Sequence, residues 1–155
     1  MYLNKQKEGF ELEERIHDIL IKTNLVVYRE KDIIKKYGKL YYGIDHLIYN
    51  DNFIIGIQDK WTDKKPSLSQ VNHFIKSLEK IGTIENTYCI GIYMSKVPIT
   101  SGALASFGYE NSNSSNKFFN LDNPDKETLI NNLMHLFYQN EIYLFDGDDS
   151  CVMIN

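Results

Sequence analysis

Leu12, Ile16, Ile19 and Leu20 follow the i, i+4, i+7, i+8 spacing of one helical face and predict a helix over residues 9–23. "LVVYRE" at 25–30 reads as a short strand, and "KDIIKKYGK" after it as a polar connection or short helical turn. A hairpin of two mostly apolar strands is expected over 40–61, turning at Asp51-Asn52. In "KKPSLSQVNHFIKSLEKIG", Pro66 precedes a helix whose start carries the capping-box pair Ser67 and Gln70. Leu68, Val71, Phe74, Ile75, Leu78 and Ile81 line one face of that helix, and Gly82 marks its stop. "NTYCIGIYMS" at 86–95 is apolar throughout, as a strand covered on both faces should be. "TSGALASF" fits a short helix, 110–117 a polar loop and "KFFNL" a strand. "DNPDKETLINNLMHLFYQ" is a helix with acids in its first turn. "EIYLFDGDDSCVMIN" closes the chain as one strand, or as two joined at Asp146-Gly147.

The order α-β-β-β-α-β, then α-β-α-β, predicts an α/β fold with a mixed sheet flanked by helices. At 155 residues, with 43% apolar and 25% charged residues, the chain fits a single domain spanning 1–155. No apolar run is long enough to span a bilayer, and "MYLNKQKEGFELEE" lacks the apolar region of a signal peptide, so a soluble, intracellular protein with no membrane partner is expected. A net charge of −4 argues against coating nucleic acid through bulk charge. It is compatible with an enzyme that has a local basic patch and an acidic centre. Cys89 and Cys151 are isolated thiols that form neither a zinc pattern nor a disulfide framework.

Polar residues interrupt the hairpin where a core is expected. With a two-residue turn, Asp45 stands opposite Gln58, and Gly43 opposite Lys60. Alternate residues share a face, so Asp45, Gln58 and Lys60 point the same way. A turn one residue longer leaves Asp45 and Gln58 as diagonal neighbours. Phe53, Ile55, Ile57 and Trp61 form an apolar set on the other face, with Asp59 as its exception. Gly43 and Gly56 lie on the polar face, where missing side chains leave room for a ligand. The plain reading is a solvated strand face, because half-exposed antiparallel strands alternate routinely. The grouping points further: an ammonium beside a carboxylate and an amide can hold a divalent cation and an attacking water against a phosphate. Glu13 adds another oxygen donor. It lies at the edge of the first helix's apolar stripe, in line with Ile16 and Leu20, whereas Glu11 and Glu14 point away.

The order Glu13, Asp45, Gln58-Asp59-Lys60 resembles the PD-(D/E)XK nuclease superfamily. Its restriction-endonuclease-like αβββαβ core matches the element order over about residues 9–95, with the last helix and strand as a C-terminal extension. The chain is most similar to Mrr-type restriction endonuclease domains, with Holliday-junction resolvase-like domains nearby. "GFELE" at Gly9 to Glu13 fits the Mrr-type helix pattern Gly-x-x-Phe/Leu-Glu, and Gln58 with Lys60 fits the Gln-x-Lys variant of the strand motif. "QVNHF", Gln70 to Phe74, loosely resembles the helix motif of RecB-like exonucleases, with Phe for Tyr. "FFNLDNPDKETLINNL" is similar to the stretch after the Mrr-type core. Two positions depart from the pattern: Ile44 stands at the nominal proline, and Gln58 replaces an acid.

The resemblance implies metal-dependent hydrolysis of DNA phosphodiester bonds, with Mg²⁺ as cofactor and Mn²⁺ as its substitute. Asp45, the Gln58 side-chain oxygen, the Asp59 backbone carbonyl and Glu13 would bind the metal, and Lys60 would orient the attacking water. DNA would be the partner, met by Lys64, Lys65, Gln70 and Lys76. A homodimer is an open alternative. The rival expectation is a catalytically inactive, nuclease-derived domain that binds nucleic acid or a partner protein. His17, His46, His73 and His135 share no ligand spacing and read as surface or packed histidines, with His46 facing away from Asp45. "DGDD" at 146–149 lacks the length and terminal Glu of a calcium loop and reads as a solvated turn.

Overall fold

The computed structural model describes residues 2–145 and 151–152, with side chains described from residue 6 to residue 145. Its elements are α1 (Tyr2–Ile21), β1 (Val26–Arg29), α2 (Glu30–Tyr37), β2 (His46–Tyr49), β3 (Phe53–Lys60), α3 (Leu68–Ile84), β4 (Tyr88–Ser95), α4 (Ser101–Asn113), β5 (Lys117–Asp122), α5 (Lys126–Gln139), β6 (Leu144–Phe145) and β7 (Cys151–Val152). Strands β1 to β5 form one mixed sheet in sequence order. β1, β2 and β3 pair antiparallel, and β3, β4 and β5 pair parallel. The α/β class with a mixed sheet flanked by helices is therefore present. β6 and β7 pair separately, so the C-terminal stretch holds two strands. The Asp-Gly turn and the "DGDD" reading between them lie outside the described residues.

Two apolar layers hold the sheet. On one face Leu12, Ile16 and Leu20 of α1 and Leu129, Leu133 and Phe137 of α5 pack on Ile48, Ile55, Ile57 and Ile92. On the other, Ile33 of α2, Val71, Phe74 and Leu78 of α3 and Phe107 of α4 pack on Leu47, Ile54, Tyr93 and Phe118. β3 and β4 are the central strands, which explains why both read as apolar runs. Arg15 of α1 and Glu127 of α5 pair across the first layer.

The register His46↔Ile57 to Tyr49↔Ile54 is the one a two-residue turn at Asp51-Asn52 requires, and the Asn50 amide donates to the Phe53 carbonyl to close it. α3 starts as expected. The Ser67 hydroxyl accepts from the Gln70 amide at 3.1 Å, while the Gln70 side-chain oxygen accepts from the Ser67 amide at 2.9 Å.

Several expectations need correction. "KDIIKKYGK" belongs to a full helix, α2, because Ile33 docks into the second layer and Asp32 accepts from the Arg29 amide at the helix start. α4 runs on through Asn113, so the first half of the expected polar loop is helical. α3 passes Gly82 and ends at Ile84, and Leu68 at its first turn is exposed rather than part of the buried face. Gly56 leaves no room for a ligand, since a Cβ there would stand 2.6 Å from Leu78 Cδ1. The glycine lets α3 lie close on the sheet. Glu14 does not point away: it receives two 2.8 Å hydrogen bonds from Arg29 Nη2 on β1.

Candidate active site

Asp45 sits one residue before β2, at the end of a loop pinned from three sides. Ile44 is fully buried in the second layer and anchors the loop there. Gly43 adopts φ +86°, a conformation costly for other residues, and its amide donates to Glu30 Oε2 at 2.8 Å. The Asp45 amide donates at 2.9 Å to the carbonyl of Ile57, the residue already paired with His46, so the chain bulges at Asp45 just before the strand. These contacts hold the Asp45 carboxylate against the end of β3.

There, Asp45 Oδ2 accepts from the Asp59 amide at 2.9 Å. The Gln58 side chain reaches the same oxygen at 3.0 Å and the Gly43 carbonyl at 2.7 Å. Both of those neighbours are acceptors, so it is the amide nitrogen of Gln58 that faces them, and its oxygen turns outward. In an extended strand the N–H and C=O of one residue point to the same edge. The Asp59 carbonyl is thus directed to the edge where Asp45 lies. Glu13, Asp45, Gln58, Asp59 and Lys60 together line one cleft of about 440 Å³, with Gln6, Gly9, Trp61 and Thr62 completing its walls.

The structure thus brings Glu13, Asp45, Gln58 and Lys60 to a common cleft. Lys64 and Lys65 are exposed on the loop that leaves β3 beside it. Gln70 lines a neighbouring cavity that shares Gln58 and Lys60, with its side-chain oxygen committed to the α3 cap. Lys76 is not brought to the cleft; it lines a separate groove with Tyr41 and Lys80. Six residues beyond Gln70, it stands about 9 Å further along the helix.

Asp59 is the exception on the apolar face of β3, and its partner explains it. His46 lies on that same face and its Nε2 is 2.7 Å from Asp59 Oδ2, with His46 fully buried and the Asp59 side chain 6% exposed. His46 does face away from the Gln58 side, yet it touches the cleft through Asp59. Its ring is stacked 6.4 Å from that of His17 on α1. Burial pushes the His46 pKa below the usual histidine range, so the ring is neutral at pH 7. Burial also raises the Asp45 carboxyl to about 9, reinforced by the Asp59 charge and by the hydrogen bond between the two carboxyls. Asp59 is raised to about 8, again first by burial. Both carboxyls are thus held largely in their neutral form at pH 7, beside a neutral imidazole.

A hard divalent cation such as Mg²⁺ suits carboxyl and carbonyl oxygens, and here it would have to displace the protons of those carboxyls. Among the described residues, no three His, Cys, Asp or Glu side chains group closely enough to hold an ion by themselves. A site here would have to draw on the Gln58 amide oxygen and the Asp59 carbonyl, the two donors such a grouping leaves out. Gln58 would also have to turn its amide over.

Sequence reading missed five contributing residues. His46 looked like an ordinary packed histidine, and the signal it left was the unexplained Asp59 on an apolar face. Lys96 and Lys126, distant in sequence, bring their Nζ atoms to 5.5 and 5.3 Å from the Trp61 ring at the cleft wall. Exposed Tyr42 and half-buried His73 form a ring pair beside Lys60. No single-strand periodicity announces contacts of this kind. Among the described residues no helix is long and apolar enough to cross a membrane. No known family model, curated protein or solved structure matches the chain.

Proposed function

We propose that the chain is a Mg²⁺-dependent nuclease of the PD-(D/E)XK type that hydrolyses DNA phosphodiester bonds. One observation carries the reading: Glu13 from a helix, Asp45 from a loop, and Gln58 and Lys60 from a central strand line one cleft. A solvated strand face would not need a helix glutamate beside it, nor a glycine turn and a glutamate clamp to deliver its aspartate.

Asp45, the Gln58 side-chain oxygen, the Asp59 carbonyl and Glu13 would hold the ion. When bound, Mg²⁺ polarises the scissile phosphoryl group and lowers the pKa of a coordinated water. Lys60 positions the attacking water and offsets the negative charge that develops at phosphorus. His46 keeps Asp59 in place, and the Asp59 amide keeps Asp45 in place. Lys64 and Lys65 neutralise backbone phosphates entering the cleft, a contact that positions DNA without reading its sequence. Lys126 extends that positive rim, whereas Lys96 is paired with Asp63 at 2.8 Å. A net charge of −4 confines DNA affinity to this rim.

A second reading, a nuclease-derived domain that binds without cutting, draws on Gln58. Its amide nitrogen already satisfies Asp45, so the cleft is internally paired without an ion. Calorimetric Mn²⁺ titration of wild type, Asp45→Asn and Gln58→Glu separates the two, alongside cleavage assays of wild type and Lys60→Ala. The nuclease reading expects Asp45→Asn to lose metal and Gln58→Glu to gain affinity, since hard cations favour carboxylate oxygen. It expects Lys60→Ala to lose cleavage with a melting temperature close to wild type. Absence of metal binding in all three proteins, with or without DNA, would leave the non-catalytic domain.

A further inference from the structure

Gln58 and Lys60 also line a second hollow, on the α3 side of the sheet end. It has a volume of about 190 Å³, and Tyr42, Gly43, Gln70 and His73 enclose it with them. The Tyr42 ring lies nearly parallel to the imidazole of His73, with centroids 4.1 Å apart and planes at 20°. His73 Nε2 is 3.0 Å from the Tyr42 carbonyl, an acceptor only, so that nitrogen carries the proton and ties the ring to the loop. The same nitrogen is 3.3 Å from the hydroxyl of buried Ser77, which fixes the imidazole from below. Tyr42 is 54% exposed, so its ring is held in orientation without being consumed by the core.

We infer that this hollow is a stacking subsite for an unpaired nucleobase of the strand whose phosphate lies at Lys60. The inference rests on the nuclease reading and names the substrate feature it would select. Every base presents a π-face, and a pre-oriented aromatic ring captures it without regard to sequence. The volume suits one ring system and is too small for a base pair. The hollow meets the cleft at Gln58 and Lys60, so a strand can pass its phosphate to one and its base to the other. The Gln70 side-chain oxygen is the atom used in the α3 cap, so among the described residues its N–H donors remain for a base edge. Lys64 and Lys65 stand on the adjoining loop to meet the flanking phosphates. The substrate is then a single-stranded, flapped or mismatched segment in preference to continuous duplex.

The test is fluorescence anisotropy with the full chain and Ca²⁺, using three probes: a short single strand, its abasic counterpart with the same phosphates and sugars, and a fully paired duplex. Wild type should bind the abasic strand about tenfold more weakly than the normal one, as loss of one base–aromatic stack implies. Tyr42→Ala should bind the normal strand about tenfold more weakly and lose little more on the abasic strand; Tyr42→Phe should match wild type. Duplex binding should be nearly the same for all three proteins. Equal wild-type affinity for normal and abasic strands overturns the subsite, as does an equal loss by Tyr42→Ala on every probe. Should Tyr42→Ala fold poorly, Tyr42→Leu removes the π-face at similar bulk. If wild type cuts DNA but shows no base dependence, the subsite alone fails. If it neither binds nor cuts any nucleic acid, the nuclease reading fails and takes the subsite with it.

Discussion

His46→Leu tests whether the pair behind the cleft matters for both stability and metal. Leucine keeps most of the volume at a fully buried position and removes the ring nitrogen that lies 2.7 Å from Asp59 Oδ2. Leaving a buried carboxyl oxygen without a partner costs about 1–3 kcal/mol. Part of this is offset, because His46 Nδ1 is itself buried without a partner and disappears with the ring. The net expectation is a loss of about 1–2 kcal/mol, which lowers the melting temperature by about 2–4 °C per kcal/mol in a domain of this size. Asp59 should also swing, moving the amide that holds Asp45. Disturbing such an outer contact weakens metal binding by about 10–100-fold. His46→Gln is the control, since its amide nitrogen reaches toward the position of Nε2. A cycle of His46→Leu, Asp59→Ala and the double variant, read by chemical denaturation and Mn²⁺ calorimetry, isolates the pair. A coupling above about 0.5 kcal/mol is expected for residues in contact. Additive losses, or His46→Leu binding Mn²⁺ like wild type, would refute the argument.

Two further predictions concern the rest of the fold. Burial, together with a hydrogen bond to Glu110, raises the Glu79 carboxyl from 4.5 to about 7, so the folded state holds a proton that the unfolded state has released. Its contribution is fully present below about pH 4.5 and is lost as pH rises through about 7. Melting curves of Glu79→Gln minus wild type should therefore rise with pH across that window, other titrating groups cancelling in the difference; a flat difference would show the carboxyl unperturbed. Gly91→Ala would place a Cβ 2.5 Å from Phe118 Cδ1, against a ring that is buried and stacked on Phe107. Overpacking of this kind costs about 1–3 kcal/mol, measurable as a shift in denaturation midpoint at constant slope. A wild-type midpoint would mean that the Phe118 ring can give way.

The helices over Leu12 to Leu20 and Val71 to Ile81, the capping box of α3, the apolar strands β3 and β4 and the hairpin register were all legible in the sequence. Each rests on contacts a few residues apart, where a 3.6- or two-residue period or a turn length fixes which side chains share a face. The register holds as far as His46 and Ile57, and Asp45 meets the Gln58 side chain through an out-of-register bond just beyond it, which the hairpin pattern alone did not fix. α2 escaped because it is a helix by virtue of one isoleucine docking into a distant layer, and its local pattern is mostly charged. Gly56 was misread because its neighbour Leu78 belongs to a helix that begins twelve residues later. Whether Glu13 faces the end of β3, whether Asp59 finds His46, and whether Trp61 gathers Lys96 and Lys126 depend on how α1 and α5 pack against the sheet. Those relations join residues 13 to 65 positions apart in the chain, and the apolar layers between helices and sheet set them. Periodicity says which face of an element is buried; only the packed layers decide what that face meets.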